Sequence, residues 1–221
     1  MNKINIALDG PAGSGKSSVA KLVAQKLNIL YLDTGAMYRA IGYHILNNGI
    51  DIESKDLVEA QIEKINLNVV FDDGKQSVIL NGEDITDKIR EPEISMAASK
   101  VGAYRKVRGA LVKLQKQIAN KHDMILDGRD IGTVVLAHSN NKFFLTATSD
   151  VRARRRHDQL VSRGVEKSIL ELKKEIDERD YFDSHREVDP LRCADDAIEI
   201  DSSDMSINEV VDMIICNLEE K

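Results

Sequence analysis

Residues Gly10-Pro11-Ala12-Gly13-Ser14-Gly15-Lys16-Ser17-Ser18 carry the pattern G-x-x-x-x-G-K-[ST]. The chemistry this spacing serves is the holding of a polyphosphate. Glycine tolerates positive φ, so the backbone N–H groups can turn inward around an anion. The N-terminus of the following helix adds partial positive charge. Lys16 is placed to reach the β- and γ-phosphates, and Ser17 to offer its hydroxyl to Mg²⁺. A Gly-rich turn with a chance lysine has the same letters, and the flanks decide against it. Ile4 to Leu8 is an apolar run that reads as a buried strand, and Val19, Leu22, Val23 and Leu27 recur at helical spacing. The order strand, loop, helix implies a nucleoside triphosphate without saying what is done with it.

A second set of charges lies elsewhere. Arg39 follows the second predicted strand by one helical turn, and Arg129 follows the third. A guanidinium fork bonds phosphate bidentately, so both suit a second phosphate in the cleft. For either residue alone a solvated surface arginine is the better reading, and Arg129 escapes it because it sits between Gly128 and Asp130 at the end of a buried strand. Arg152, Arg154, Arg155 and Arg156 crowd about one and a half helical turns, where like charges repel unless an anion sits among them. That favours a lid closing over the triphosphate, with a solvated face or a nucleic-acid patch as the plainer readings. Asp33 and Asp127 end strands beside the loop and suit waters of a Mg²⁺ shell. For Asp33 the spacing equally suits a helix cap.

Several sites are excluded or demoted. Asn120-Lys121-His122-Asp123 has the form N-K-x-D, a guanine-reading signature, but it follows a helix and precedes a strand, so it reads as a helix-ending loop. The five histidines show no H-E-x-x-H or triad spacing. Cys193 and Cys216 are far apart, which argues against a zinc site or disulfide framework and suits a reducing cytosol. The net charge of −6 disfavours nucleic-acid binding as the main role. With 42% hydrophobic and 31% charged residues, the 221-residue chain reads as a globular protein with no membrane span.

The elements that must position these groups alternate. Ile29 to Leu32 reads as a second strand, with a helix from about Ala36 to Asn47 and another from Asp56 to Ile65, where Leu57, Ile62 and Ile65 share a side. Leu67, Val69 and Phe71 then alternate as a strand, with a turn at Asp72-Asp73-Gly74, a strand at Ser77 to Leu80, a hairpin signal at Asn81-Gly82 and a short strand at Asp84 to Thr86. Such a meander does not belong in a parallel sheet and reads as a small antiparallel insert. One long helix is expected with Val101, Tyr104, Val107, Leu111, Leu114 and Ile118 as its stripe. Strands at Met124 to Leu126, Lys142 to Ala147 and Ala197 to Ile200 follow, with a helix from Asp150 to Arg163 between. Capping boxes at Ser168/Glu171 and Ser206/Glu209 open the last two helices. The fold class is α/β, a parallel sheet flanked by helices. Ligands in such sheets bind beyond the strand carboxyl ends, where Asp9, Asp33 to Gly35 and Asp127 to Asp130 sit.

These pieces together resemble the bacterial cytidylate kinases, a family of P-loop nucleoside monophosphate kinases. The resemblance rests on the phosphate loop, on Leu32-Asp33-Thr34-Gly35-Ala36-Met37-Tyr38-Arg39, on Gly82-Glu83-Asp84-Ile85 and on Ala97-Ala98-Ser99-Lys100-Val101. It continues through Asp127-Gly128-Arg129-Asp130-Ile131-Gly132-Thr133-Val134-Val135, its most specific block, and Glu178 to Arg186. It implies one P-loop kinase domain over 1–221, with a monophosphate-binding insert at about 36–100 and an Arg-rich lid at about 150–186. It implies Mg²⁺-dependent transfer from ATP to CMP or dCMP. Residues 10 to 18 would bind ATP together with Arg155, and Lys16, Arg129, Arg155 and Arg156 would act on the transferring group. Ser99, Arg108 and Asp130 would read cytosine, Thr34, Arg39, Arg129 and Arg186 would hold the acceptor phosphate, and Arg179 and Asp183 the sugar. A cytoplasmic monomer without nucleic-acid or membrane partners is expected. The alternatives are a P-loop kinase for UMP, AMP or a non-nucleotide, or a nucleotide-hydrolysing switch.

Overall fold

The computed structural model describes residues 3–162 and 164–218. Five strands form a parallel sheet: β1 (Asn5–Asp9), β2 (Leu30–Asp33), β6 (Met124–Gly128), β7 (Asn141–Thr146) and β8 (Ile198–Asp201), in the order β2-β6-β1-β7-β8. The period of two along β1 divides its side chains between two cores. Ile6 and Leu8 pack with Val19, Val23, Phe143, Val210 and Ile214, on the face covered by α1 (Lys16–Leu27) and α8 (Ile207–Cys216). Ala7 packs with Met37, Ile41, Leu111 and Leu126 on the other face, under α2 (Thr34–Asn47) and α5 (Arg105–Ala119). Both faces are covered, which is why the strands read as near-continuous apolar runs.

The expected insert is present as a three-stranded antiparallel sheet of β3 (Leu67–Asp72), β4 (Lys75–Leu80) and β5 (Glu83–Asp84). Its apolar side, Val78, Leu80, Ile85 and Ile89, packs on Ala36 and Ala40 of α2. The second helical pair, α6 (Ser149–Val161) and α7 (Ile169–His185), has its own small core of Ala153, Leu160, Leu172 and Ile176. Both capping boxes form as expected, with each serine accepting from the glutamate N–H and each glutamate accepting from the serine N–H.

Two local expectations are corrected, and one further feature is new. The long helix is two: α4 (Pro92–Val101) ends before Gly102, and α5 begins after Tyr104. The stripe from Val101 to Ile118 runs in phase across the break, so periodicity alone cannot see it. The Asp56 to Ile65 helix is a short α3 (Lys55–Glu59) followed by a 3₁₀ turn at Ile62–Lys64, and its buried apolar residue is Val58 while Leu57 is half exposed. Ile131–Val135 forms a π-helical turn that no sequence signal announced. The expected end of α6 at Arg163 lies outside the described residues. Among those residues, no helix is long and apolar enough to cross a membrane.

Candidate active site

The phosphate loop joins β1 to α1 with left-handed glycines, Gly13 at φ 75° and Gly15 at φ 95°. Gly10, at φ 147°, is tightest: a Cβ there would lie 2.0 Å from the Leu145 carbonyl oxygen of β7. Lys16 is buried and folds back, donating to the Pro11 carbonyl at 2.6 Å and the Ser14 hydroxyl at 3.2 Å. Burial, reinforced by nearby Arg129, drives its pKa well below the usual lysine value. A lysine folded back onto a loop of left-handed glycines at a helix N-terminus suits the binding of an anion.

Beside the loop, the Ser17 hydroxyl donates to Asp127 Oδ2 at 2.7 Å, and Tyr31 donates to Asp127 Oδ1 at 3.1 Å. Burial first, and then the charge of Asp33, raises Asp127 to about 6. A hydroxyl and two neighbouring carboxylates form a hard oxygen donor set, which fits Mg²⁺ bound mainly through water and phosphate. Asp33 also serves as the cap anticipated for it: its carboxylate accepts from the Ala36 N–H at 2.9 Å and pairs with Arg39 at 2.6 Å.

Across the cleft, β6 runs into Asp127-Gly128-Arg129-Asp130 and brings the second group together. Asp130 is buried, its carboxylate bonded by Arg108 and lying 3.6 Å from Arg186. Arg108 is buried at 2% exposure and also donates to Asp189 at 3.0 Å and to the Gly102 carbonyl at 3.1 Å. That carbonyl lies in the break between α4 and α5, so the interruption of the helix supplies a partner for Arg108. Ser99 lies one turn before the break, half-buried on α4.

Between the two groups lie arginines and Asp183. Arg129 donates to Asp183 at 2.8 Å. Burial opposes the charge on Asp183, but Arg129 and Arg179 outweigh it and hold the carboxyl below its usual range. Arg179 is drawn down to about 10, by burial and then by Arg129, and among the described residues its Nε has no hydrogen-bond partner, nor has that of Arg39. Unsatisfied guanidinium nitrogens in a cluster of like charge mark the place an anion would be bound. Thr34 is buried and donates to the Asp127 carbonyl at 2.7 Å.

The arginine run divides by role. Arg152 is buried, donating to the Ala147 carbonyl at 2.8 Å and the Ala12 carbonyl at 3.0 Å and pairing with Asp180, so it anchors α6 to the phosphate loop. Arg155 reaches the Ser202 carbonyl at 2.6 Å, beyond the end of β8, and lies 3.5 Å from the Ser14 carbonyl. Arg156 contacts only its own helix among the described residues, at Gln159. Ser18 is exposed on the first turn of α1.

Sequence reasoning missed Asp180, Asp189 and Gln76. Asp180 accepts from the Ala12 N–H at 3.1 Å, and its i,i+3 spacing to Asp183 was a usable signal. Asp189, in the left-handed region at φ 47°, and Gln76, on the insert, gave none. The N-K-x-D stretch is a helix-ending loop as read, with Asn120 capping α5 and Asp123 accepting from the Ile4 N–H at 2.6 Å.

The sequence profile of the family described as cytidylate kinase matches residues 6–220. The cytidylate kinase of Caldicellulosiruptor bescii is 47% identical over 215 residues, covering 97% of this chain and 95% of its own. That of Halalkalibacterium halodurans is 44% identical over 221 residues, covering 100% of both. A solved structure, an uncharacterized protein from Eubacterium ventriosum, aligns with a TM-score of 0.51 at 18% identity over 99% of this chain and 100% of that one, a likeness of fold alone. The chain belongs to the cytidylate kinase family.

Proposed function

We propose that this protein transfers the γ-phosphoryl group of ATP to CMP, and to dCMP, giving ADP and CDP or dCDP. The observation that carries the choice of acceptor is the buried Asp130 carboxylate, bonded by Arg108 and faced by Arg186. An ionised carboxylate accepts only. It suits the N4 amino group of cytosine and opposes the O4 acceptor of uracil. Arg108 and Ser99 offer donors for cytosine O2 and N3. Leaving such groups unpaired in a buried site discriminates strongly against the wrong base.

The acceptor phosphate is assigned to Thr34, Arg39, Arg129 and Arg186, and the sugar to Arg179 and Asp183. The phosphate of CMP is itself the nucleophile and is largely dianionic near neutrality, so no general base is required. What the residues contribute is alignment and charge neutralisation. Lys16 leaves its Pro11 and Ser14 contacts for the β- and γ-phosphates, Arg129 faces the transferring group, and Arg155 and Arg156 close from α6. Residues 10 to 18 hold the ATP phosphates. Mg²⁺ would be held by Ser17 directly and by Asp33 and Asp127 through water, and supplies neutralisation of the polyphosphate charge. The pair α6 and α7, which shares a small core of its own, is assigned as the lid. The protein acts as a cytoplasmic monomer.

The test is the initial rate of ADP formation from Mg²⁺-ATP with CMP, dCMP, UMP or AMP at matched concentrations. Strong turnover of CMP and dCMP with weak turnover of UMP and AMP is expected. UMP or AMP matching CMP would overturn the base-reading assignment.

A further inference from the structure

Asp130 occupies the N-cap position of the π-helical turn Ile131–Val135, yet among the described residues its side chain makes no capping bond. An aspartate at an N-cap ordinarily turns its carboxylate onto the N–H groups of its own first turn. Here a different aspartate takes them. Asp9, at the end of β1, accepts from the Ile131 N–H through Oδ1 at 2.8 Å and from the Gly132 N–H through Oδ2 at 2.7 Å. Asp9 is buried at 4% exposure, and its backbone pairs with Gly128 in the adjacent strand. Both carboxylate oxygens are thereby spent on the segment directly after Asp130.

We infer that Asp9 is a positioning residue for acceptor specificity: it caps the turn in place of Asp130 and so leaves the Asp130 carboxylate turned away from its own turn, toward Arg108, Arg186 and the base. The inference rests on the assignment of base reading to Asp130. Asp9 directly precedes Gly10, where the phosphate loop begins. Its side chain bonds the turn and not the loop, so the effect of its loss is expected on the acceptor side.

Asp9→Asn is nearly isosteric but replaces one acceptor with a donor. One N–H of the turn then faces an amide group that cannot accept its bond, and Asp130 gains a competing use as the cap. A merely structural role for Asp9 predicts lower stability and lower rates with every acceptor alike. The positioning role predicts a change in the ratio of acceptors.

The experiment is a cycle of wild type, Asp9→Asn, Asp130→Asn and the double variant, reading kcat/KM for CMP over that for UMP, and KM for ATP. Asp9→Asn is expected to lower the CMP/UMP ratio by about tenfold with KM for ATP changed by less than about twofold, and to add less than about twofold in the Asp130→Asn background. A ratio unchanged by Asp9→Asn but lowered by Asp130→Asn would overturn the inference alone. An equal effect of Asp9→Asn in both backgrounds would also overturn it. A ratio unchanged by Asp130→Asn would overturn the base-reading assignment and the inference with it. Should Asp9→Asn fail to fold, Asp9→Glu keeps the charge but pushes the oxygens outward by one methylene, and the same ratio is expected to fall. An unchanged ratio in that variant overturns the inference.

Discussion

The side-chain amide of Gln76 brackets the backbone of Asp33. Its Oε1 accepts from the Asp33 N–H at 2.7 Å, and its Nε2 donates to the Asp33 carbonyl at 3.2 Å. Asp33 ends β2, the edge strand of the parallel sheet, and Gln76 lies on β4 of the insert. One side chain thus imitates a ladder partner and ties the insert to the residue that caps α2 and holds Arg39. Gln76→Ala removes both bonds, with a cost of about 1–2 kcal/mol. The expected result is a KM for CMP raised about tenfold with KM for ATP unaltered, measured by steady-state kinetics. Equal changes in both constants would contradict this placement of the insert.

Lys16→Ala removes the cation buried in the loop. A group aimed at developing charge in the transition state is worth about 10²-fold or more in kcat. Single-turnover rates with saturating ATP and CMP check this, and full turnover would remove Lys16 from the chemistry.

Gly10→Ala places a methyl group 2.0 Å from the Leu145 carbonyl oxygen, at a φ of 147°. Either β1 and β7 separate locally or the loop shifts. The backbone strain alone costs about 1–3 kcal/mol, and the overlap adds to it. Denaturant unfolding is expected to show a loss of about 3 kcal/mol or more. A loss below about 1 kcal/mol would mean that the loop yields freely.

Asp9 carries a pH signature. Burial raises its carboxyl from 3.8 to about 7, against the two N–H bonds and the charge of Lys16, with Asp130 adding to the rise. The folded state therefore holds the proton more tightly than the unfolded one. Stability from this group falls as pH rises between those two values. Relative to Asp9→Asn, which does not titrate, the wild type is expected to gain about 1.4 kcal/mol between pH 8 and pH 6. Urea unfolding of both proteins at the two pH values measures it, and a pH-independent difference would contradict the buried titration.

The sequence made the sheet, the insert and the phosphate loop legible because each has a local signature: apolar runs, period-two alternation with Asn81-Gly82, and glycine spacing. The two capping boxes were equally plain. The break between α4 and α5 was not, because the apolar stripe continues in phase across it. Its consequence, the Gly102 carbonyl given to Arg108, is a contact between groups brought together by the fold. The same holds for Asp189 on Arg108, Gln76 on Asp33 and Asp9 on the Ile131 turn. Each is a single polar residue meeting a distant partner, and no periodicity encodes that. Ser99 and Arg108 were reachable only through resemblance to a known family.

The central claim is that phosphoryl groups pass directly from ATP to CMP. Phosphorus NMR of the protein with Mg²⁺ and equal ATP and CMP tests it most directly, because each product has its own resonances. The account predicts CDP and ADP rising together, one to one, with no inorganic phosphate beyond background. Inorganic phosphate rising with ADP while CMP persists would contradict it and identify the protein as a nucleotide hydrolase.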